Sequence, residues 1–447
     1  MEKQESRVAI IGAGCSGITA IKNLIQAGVK NIVCYEQNDQ VGGNWIYTQK
    51  VSHSSVCETT HIISSKTMSQ YEGFPMPEEY PDYPSHGQVL EYFQSYAKEF
   101  GLLPYIRFNT KVESVRKLEH NKWEIISGSG EKEIFDFLII ANGHHSVPRH
   151  PAFKNHFTGK YIHSHEFKNN KGFEGERVLV VGAGNSGCDC AVEISRVAKK
   201  VDISIRTPQY IIPKFFLGKP SDTFNDKMIW LPRFIQKPLL SLSLKIQVGD
   251  YRSYGLEPPK HSVLEAHPTL NSELLYKIRH GKVQPQRGIE KVVGKKVFFS
   301  DGQVAEYDSI VAATGYQIAT PFFEKEFLDY ADSDRVPLYL RMFHPEHPTL
   351  IFIGLCQPQG AVWPLSDAQS RITGNYIAGR WQLPKNTKER AEKDSDQIEK
   401  EFLSRKRHTV EVHYHQYLRK LRKQIPADAP LWNQRSEVKG QRSAIDP

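Results

Sequence analysis

Two short runs of this sequence have the composition needed to meet a phosphate. Gly12-Ala13-Gly14-Cys15-Ser16-Gly17 follows the apolar run Arg7 to Ile11 and precedes apolar positions at helical spacing from Ile18 to Leu24. Gly182-Ala183-Gly184-Asn185-Ser186-Gly187 follows Val178 to Val181 and precedes a helical pattern through Ile194. A glycine turn between strand and helix lets backbone N–H groups and the positive helix end touch a pyrophosphate, and any side chain there would hold the anion off. Gly12, Gly14 and Gly17 fit the three glycine roles, as do Gly182, Gly184 and Gly187. A single turn of this kind can be merely structural; the strand context and the charged residue that follows argue for nucleotide binding here.

That charged residue differs between the two units. Glu36 stands 24 positions beyond Gly12, at the end of the apolar run Ile32 to Tyr35, where a carboxylate can accept hydrogen bonds from both ribose hydroxyls of an adenosine. The position 24 beyond Gly182 is Arg206, at the end of the run Val201 to Ile205. A guanidinium offers a 2′-phosphate a bidentate, charge-assisted pair that a carboxylate would repel. The second nucleotide is therefore expected to be NADP rather than NAD, with Thr207 as a further donor. The competing interpretation of Arg206 is an exposed strand-end charge that contributes little.

The elements that would position these residues are repeated strand-turn-helix units. Phe135 to Ile140, ending at Ala141-Asn142-Gly143, and Ser309 to Ala312, ahead of Ala313-Thr314-Gly315-Tyr316, both read as buried strands returning to a common sheet. The expected fold class is α/β, with two Rossmann-like dinucleotide-binding domains, the second inserted into the first. The boundaries implied are 1–150 for the first part of one domain, 151–306 for the inserted domain and 307–447 for the second part with C-terminal helices. Phe215 to Ser262 is rich in aromatics and prolines without a clear period, and is expected to be a lid or long insertion. Glu389 to Glu401 and Val410 to Lys423 carry helical patterns.

Bulk composition narrows the class further. A chain of 447 residues, 39% hydrophobic and 24% charged, has room for several domains and a buried cofactor, and is not collagen-like, coiled-coil or disordered. The net charge of +8 is spread along the chain and suits anionic cofactors; the basic cluster Arg419 to Lys423 reads as a solvated helix face, so no nucleic-acid partner is expected. Apolar runs such as Leu239 to Leu244 fall far short of the roughly 18 residues that span a bilayer, and the amino terminus offers no secretory segment, so no membrane partner and a cytoplasmic location are expected. Six scattered cysteines (Cys15, Cys34, Cys57, Cys188, Cys190 and Cys356) form no framework, and the 18 histidines show no ligand spacing, so no metal is expected.

Further motifs fall in a recognisable order. Gly42-Gly43-Asn44-Trp45 follows the first unit, and Phe157, Gly159, His163 and Phe167 precede the second glycine turn in the pattern Phe-x-Gly-x-x-x-His-x-x-x-Phe. With the two glycine turns and Ala313-Thr314-Gly315-Tyr316, this series resembles the flavin-containing monooxygenases of class B over nearly the whole chain. Phe74-Pro75-Met76-Pro77-Glu78-Glu79-Tyr80-Pro81 and Glu265-Ala266-His267-Pro268-Thr269 are similar to stretches of the animal-type members, whose hydrophobic tail has no counterpart in these 447 residues, so a soluble bacterial-type enzyme is expected. The resemblance implies that NADPH reduces FAD, that oxygen adds at flavin carbon C4a, and that the hydroperoxide gives one oxygen to a soft nucleophile such as an N- or S-containing or indole-like small molecule. It assigns Gly12, Gly14, Ser16, Gly17, Glu36, Gln37, Gly43, Asn44, Trp45, His53, Val112 and Gln357 to FAD. To NADP it assigns Gly182, Gly184, Asn185, Ser186, Gly187, Arg206, Thr207, Thr314 and Gly315. His163 and Ala313 to Tyr316 are implied supports at the domain junction. The partners implied are a small-molecule substrate and O2, with a homodimer as the assembly to look for.

One position departs from the family pattern. Ile63, in Thr60-His61-Ile62-Ile63-Ser64-Ser65-Lys66, stands where the family usually has an asparagine beside the flavin, with Ser64 and Ser65 as nearby donors. No catalytic acid or base is assigned, which fits a reaction whose oxidant is the cofactor itself. A disulfide reductase would need a Cys-x-x-Cys beside its flavin, and Cys188 and Cys190 point about 200° apart on a helix. A Baeyer–Villiger enzyme of ketones, an amine N-hydroxylase and a non-catalytic nucleotide-binding protein stay open as alternatives.

Overall fold

The computed structural model describes residues 5–228, 232–263, 268–401 and 409–429. Glu265 to His267, part of a stretch similar to the animal-type members, lie outside the described residues.

Two five-stranded parallel sheets carry the two glycine turns. The first has the order Leu350–Phe352, Phe137–Ile140, Arg7–Ile11, Asn31–Tyr35, Ile106–Arg107. The second has the order Val283–Gln286, Lys200–Ser204, Arg177–Val181, Ser309–Ala312, Lys160–His163. The sequences dictate this form, because the central strands read as continuous apolar runs. Val8, Ala9 and Ile10 are fully buried, as are Val178, Leu179 and Val180, the mark of parallel strands covered on both faces. Each of these Val, Leu and Ile side chains contributes roughly 1.5–3 kcal/mol through burial.

The second return strand is not where the sequence reading put it. Ser309–Ala312 pairs with Arg177–Val181 and Lys160–His163, so it belongs to the second sheet, while Phe137–Ile140 belongs to the first. The two returns close equivalent positions in separate sheets rather than sharing one. The first sheet regains the chain at Leu350–Phe352, well after Tyr307. Both returns are short, mostly apolar strands of four residues followed by an alanine, Ala141 or Ala313, and strand-level patterning carries no label for the sheet joined.

The stretch 215–262 is also more regular than its sequence suggests. It holds a hairpin of Phe215–Phe216 with Lys219–Pro220, then helices Ser221–Met228 and Arg233–Val248. The longer helix buries Leu240, Leu244 and Val248 while Ile235, Leu239, Leu242 and Ile246 are exposed. Apolar residues on both faces cancel the period that would have revealed it. At the carboxyl end, Glu389 to Glu401 lies within helix Thr387–Glu401, but Val410 to Lys423 divides into strand Glu411–Val412, which pairs with Gln357–Pro358, and helix Tyr414–Arg422.

The helix after the first glycine turn, Cys15–Gln26, is held against Trp363–Ile377 through small and polar residues. Ser16 and Ser366 hydroxyls lie 3.0 Å apart, Thr19 and Ser370 hydroxyls 3.2 Å, and Asn23 Nδ2 donates to Asp367 Oδ1 at 2.9 Å. A Cβ on Gly374 would come 2.7 Å from the Asn23 carbonyl oxygen, so the helices approach at backbone distance. This contact fixes the angle at which the helix presents its N-terminus to the first turn.

Candidate functional site

The two glycine turns are near copies of each other. Gly12 has φ of +101° and Gly182 of +104°, and a Cβ on either would come 2.6 Å from a carbonyl oxygen of the return strand, Ala141 or Ala313. Only glycine tolerates both conditions. A Cβ on Gly17 would collide with the Gly12 carbonyl, and one on Gly187 with that of Gly182, so the third glycines allow the helix to close on the turn. Gly14 is different: its φ is −76°, and an added Cβ would meet nothing nearer than Gly43 Cα at 3.5 Å. The fold does not require glycine there, which leaves room over the turn for a bound group. Gly43 in turn could not gain a Cβ without coming 3.0 Å from Gly14 Cα, so the Gly42-Gly43 pair draws that chain over the first turn. Trp45 stands beside it, edge-on to Trp363 at 5.7 Å.

Glu36 is buried beneath the first turn. One carboxylate oxygen accepts from Ala13 N at 2.7 Å and the other from Asn38 N at 2.9 Å. Gln37, next to it, is exposed, and Val112 begins a strand close by, since Thr110 N donates to Glu36 O at 2.8 Å. In the second unit the equivalent Arg206 has no hydrogen bond or ion pair among the described residues and is exposed beside the backbone of Gly288. A free guanidinium at that strand end suits a 2′-phosphate. Thr207 follows at the same edge, and the Ala183 carbonyl accepts from Thr269 Oγ1 at 2.9 Å and from Gln209 Nε2. Asn185 Oδ1 accepts from Leu270 N at 2.8 Å, whereas Ser186 is exposed at the helix start.

A polar segment, 52–56, links the units. His53 Nε2 donates to the Gly43 carbonyl at 2.8 Å, and Ser55 N and Oγ both donate to Asn44 Oδ1, at 2.8 and 2.9 Å. From the second unit, His165 Nε2 donates to Ser52 O at 2.7 Å and the buried Lys168 Nζ to Ser54 O at 2.7 Å. Burial pushes the Lys168 ammonium and the His165 imidazole down. His163 is fully buried; its Nδ1 accepts from His165 N, so its proton sits on Nε2, and burial holds it at about 4. Tyr316 packs against His163 and His165, and 316–317 pairs antiparallel with 147–148, while Thr314 Oγ1 donates to Arg149 O. Gly315 O accepts from Arg149 N at 2.9 Å. The residues from 313 to 316 and His163 thus meet where the two connections between the sheets run side by side.

The remaining residues named from sequence scatter around this centre. Ser16 faces Gly354 and Ser366, and Gln357 lies at the strand paired with 411–412. Ile63 is half-buried, the Ser64 hydroxyl is paired with that of Ser69 at 2.8 Å, and Ser65 Oγ lies 3.1 Å from Thr67 Oγ1. Both serine hydroxyls are therefore engaged locally. Sequence reasoning missed Lys168, Lys214 and Asp222, whose contacts depend on long-range folding and leave no local spacing, and Asn38, which bonds the Glu36 carboxylate from two residues away. All six cysteines are free thiols, and burial pushes Cys188 and Cys190 well above the ordinary range, which removes the reactive pair a disulfide reductase needs. Among the described residues no group of acidic, histidine or cysteine side chains could hold a metal ion, and no helix is long and apolar enough to cross a membrane.

A profile of the family described as flavin-binding monooxygenase-like matches residues 5–433. Flavin-containing monooxygenase 5 of Rattus norvegicus is 36% identical over 434 residues, covering 92% of this chain and 81% of that one. Dimethylaniline monooxygenase [N-oxide-forming] 2 of Oryctolagus cuniculus is 35% identical over 401 residues, 85% of this chain and 74% of that one. Among solved structures, S-allyl-L-cysteine S-oxygenase from Allium sativum superimposes with a TM-score of 0.72 at 22% identity, covering 98% and 93% of the two chains. Cyclohexanone monooxygenase from Rhodococcus sp. Phi1 bound to NADP+ gives 0.68 at 17% identity, covering 94% and 97%.

Proposed function

The chain belongs to the flavin-binding monooxygenase-like family, and from that premise we propose that it oxygenates soft, uncharged nucleophiles, namely N- or S-containing small molecules, at a site walled by Ile63. The enzyme is an FAD- and NADPH-dependent monooxygenase with O2 as co-substrate. Bound FAD supplies the redox chemistry that activates oxygen, with NADPH as its reductant. This chain's residues bind, orient and exclude water. Glu36 and the Gly12–Gly17 turn would hold the FAD adenosine and pyrophosphate; Arg206, Thr207 and the Gly182–Gly187 turn would hold NADPH. The 52–56 segment joins the two by bonding Gly43 and Asn44 on one side and His165 and Lys168 on the other.

The observation that supports the substrate class is the half-buried, apolar Ile63, read at the place beside the flavin that the family resemblance gives it. Ile63 offers no hydrogen bond, and the flanking serine hydroxyls are paired with Ser69 and Thr67. A charged or strongly hydrated substrate would lose its water without recompense there. The domain division we propose assigns the FAD unit to the sheet closed by Leu350–Phe352 and the NADP unit to the sheet that includes Ser309–Ala312. Oxygen uptake driven by NADPH is tested against a tertiary amine, a thioether and a ketone in parallel. Turnover of the amine or thioether supports the proposal; product from the ketone alone would replace it with a Baeyer–Villiger assignment.

A further inference from the structure

The arm that leads from the second sheet into the 215–262 stretch reaches across to the segment carrying Ile63. Lys214 Nζ donates to the Ile62 carbonyl at 3.2 Å, and Asp222 Oδ2 accepts from Ser65 N at 2.6 Å. Those two bonds bracket Ile63 and Ser64. The other backbone groups at the ends of this segment are held from its own unit, with Ile62 N donating to Pro84 O at 3.0 Å and Lys66 N to Asp82 O at 2.8 Å. The arm is itself braced. Lys214 N donates to Ser272 Oγ at 2.9 Å, Ser221 N donates to Lys214 O at 2.9 Å, and Tyr83 OH also donates to that carbonyl at 2.6 Å. The Lys214 ammonium lies 5.0 Å from the centre of the Tyr83 ring and feels the carboxylate of Asp189, in the helix that follows the second glycine turn.

We propose that Lys214 and Asp222 are positioning residues, a clamp by which the NADP-binding unit sets the 62–65 segment of the FAD-binding unit. Each bond is made by a charged group to a backbone amide or carbonyl, the stronger kind of hydrogen bond. Ser65 is 1% exposed, so an unpaired Ser65 N–H would be left without water as well as without its acceptor. The clamp fixes backbone and contacts no reacting atom. Its consequence for turnover rests on the reading of Ile63 as a wall of the flavin site: with the segment loose, Ile63 no longer excludes water at a fixed position, and NADPH is consumed without product.

Hydrogen–deuterium exchange on the FAD-loaded enzyme reads the clamp directly, and the ratio of product to NADPH consumed reads its consequence. Asp222→Ala and Lys214→Met are each expected to speed exchange of the amides between Ser64 and Ser69 about tenfold, the effect of losing one such bond, with FAD content retained. Lys214→Arg, which keeps a donor and the contact with Tyr83, should restore wild-type exchange. Exchange unchanged in both Asp222→Ala and Lys214→Met would overturn the clamp. Exchange that rises while the product ratio stays at the wild-type value would leave the clamp standing and overturn the placement of Ile63 beside the flavin. If Lys214→Met does not fold, Asp222→Ala alone decides between these outcomes.

Discussion

Gly14 and Gly17 separate what the first turn owes to the fold from what it owes to a ligand. In Gly17→Ala the new methyl would collide with the Gly12 carbonyl oxygen, a backbone atom that cannot yield without opening the helix from the turn. In Gly14→Ala the backbone is already at φ −76°, and the nearest atom is Gly43 Cα at an ordinary contact distance of 3.5 Å. Apoprotein stability should therefore change by less than about 1 kcal/mol for Gly14→Ala, since reduced unfolded-chain entropy offsets the poorer helix start. For Gly17→Ala it should fall by about 2 kcal/mol or more. FAD affinity should fall in both, but in Gly14→Ala for a local reason. A methyl over the turn pushes the pyrophosphate off one or two backbone N–H donors, at roughly 1.5–3 kcal/mol each, which is at least tenfold in Kd. Melting of the FAD-free proteins and titration with FAD by flavin fluorescence read the two quantities separately. A Gly14→Ala protein that binds FAD as tightly as the wild type would refute the pyrophosphate assignment.

The second unit and the helix behind it give further expectations. Arg206→Ala should weaken NADPH by about 1.5–3 kcal/mol while leaving NADH nearly unchanged, because an exposed guanidinium at that strand end would meet only the 2′-phosphate; equal losses for both would place Arg206 elsewhere. Gly184→Val should give a yellow protein that NADPH cannot reduce, read by mixing under nitrogen, and loss of FAD from an otherwise folded variant would count against separate sites. Asp189 is raised from the ordinary carboxyl value to about 6, chiefly by burial. A raised folded-state value favours the protonated folded form, so its contribution to stability is present below about 4 and is lost as pH rises through about 6. Asp189→Asn should accordingly gain on the wild type in urea unfolding between pH 4 and 7, and a gap that narrows with rising pH would contradict this.

The parts legible in the sequence were those written locally. Strand, turn and helix around Gly12 and Gly182 depend on neighbours a few residues away, and the exchange of Glu36 for Arg206 stands at the same 24 positions from each first glycine, so spacing records both. The sheet joined by Ser309–Ala312 depends on pairing with Arg177–Val181, more than a hundred residues earlier, and its four buried residues would satisfy either sheet. Helix Arg233–Val248 was concealed because Ile235, Leu239, Leu242 and Ile246 face outward while Leu240, Leu244 and Val248 face inward. Lys214 and Asp222 could not be read as contacts of the Ile62–Ser65 segment, since they lie some 150 residues away and act on backbone atoms. A backbone partner imposes no residue type at the other end of the bond.

Reduction and reoxidation of the isolated protein show whether NADPH delivers electrons to a bound flavin that passes them to oxygen. The expected result is a yellow protein that bleaches when NADPH is added under nitrogen, does so far more slowly with NADH, and regains its colour in air. With a thioether or tertiary amine present and labelled O2 supplied, one labelled oxygen should appear in the product for each turnover. A colourless protein, or a yellow one whose absorbance NADPH leaves untouched, would contradict it.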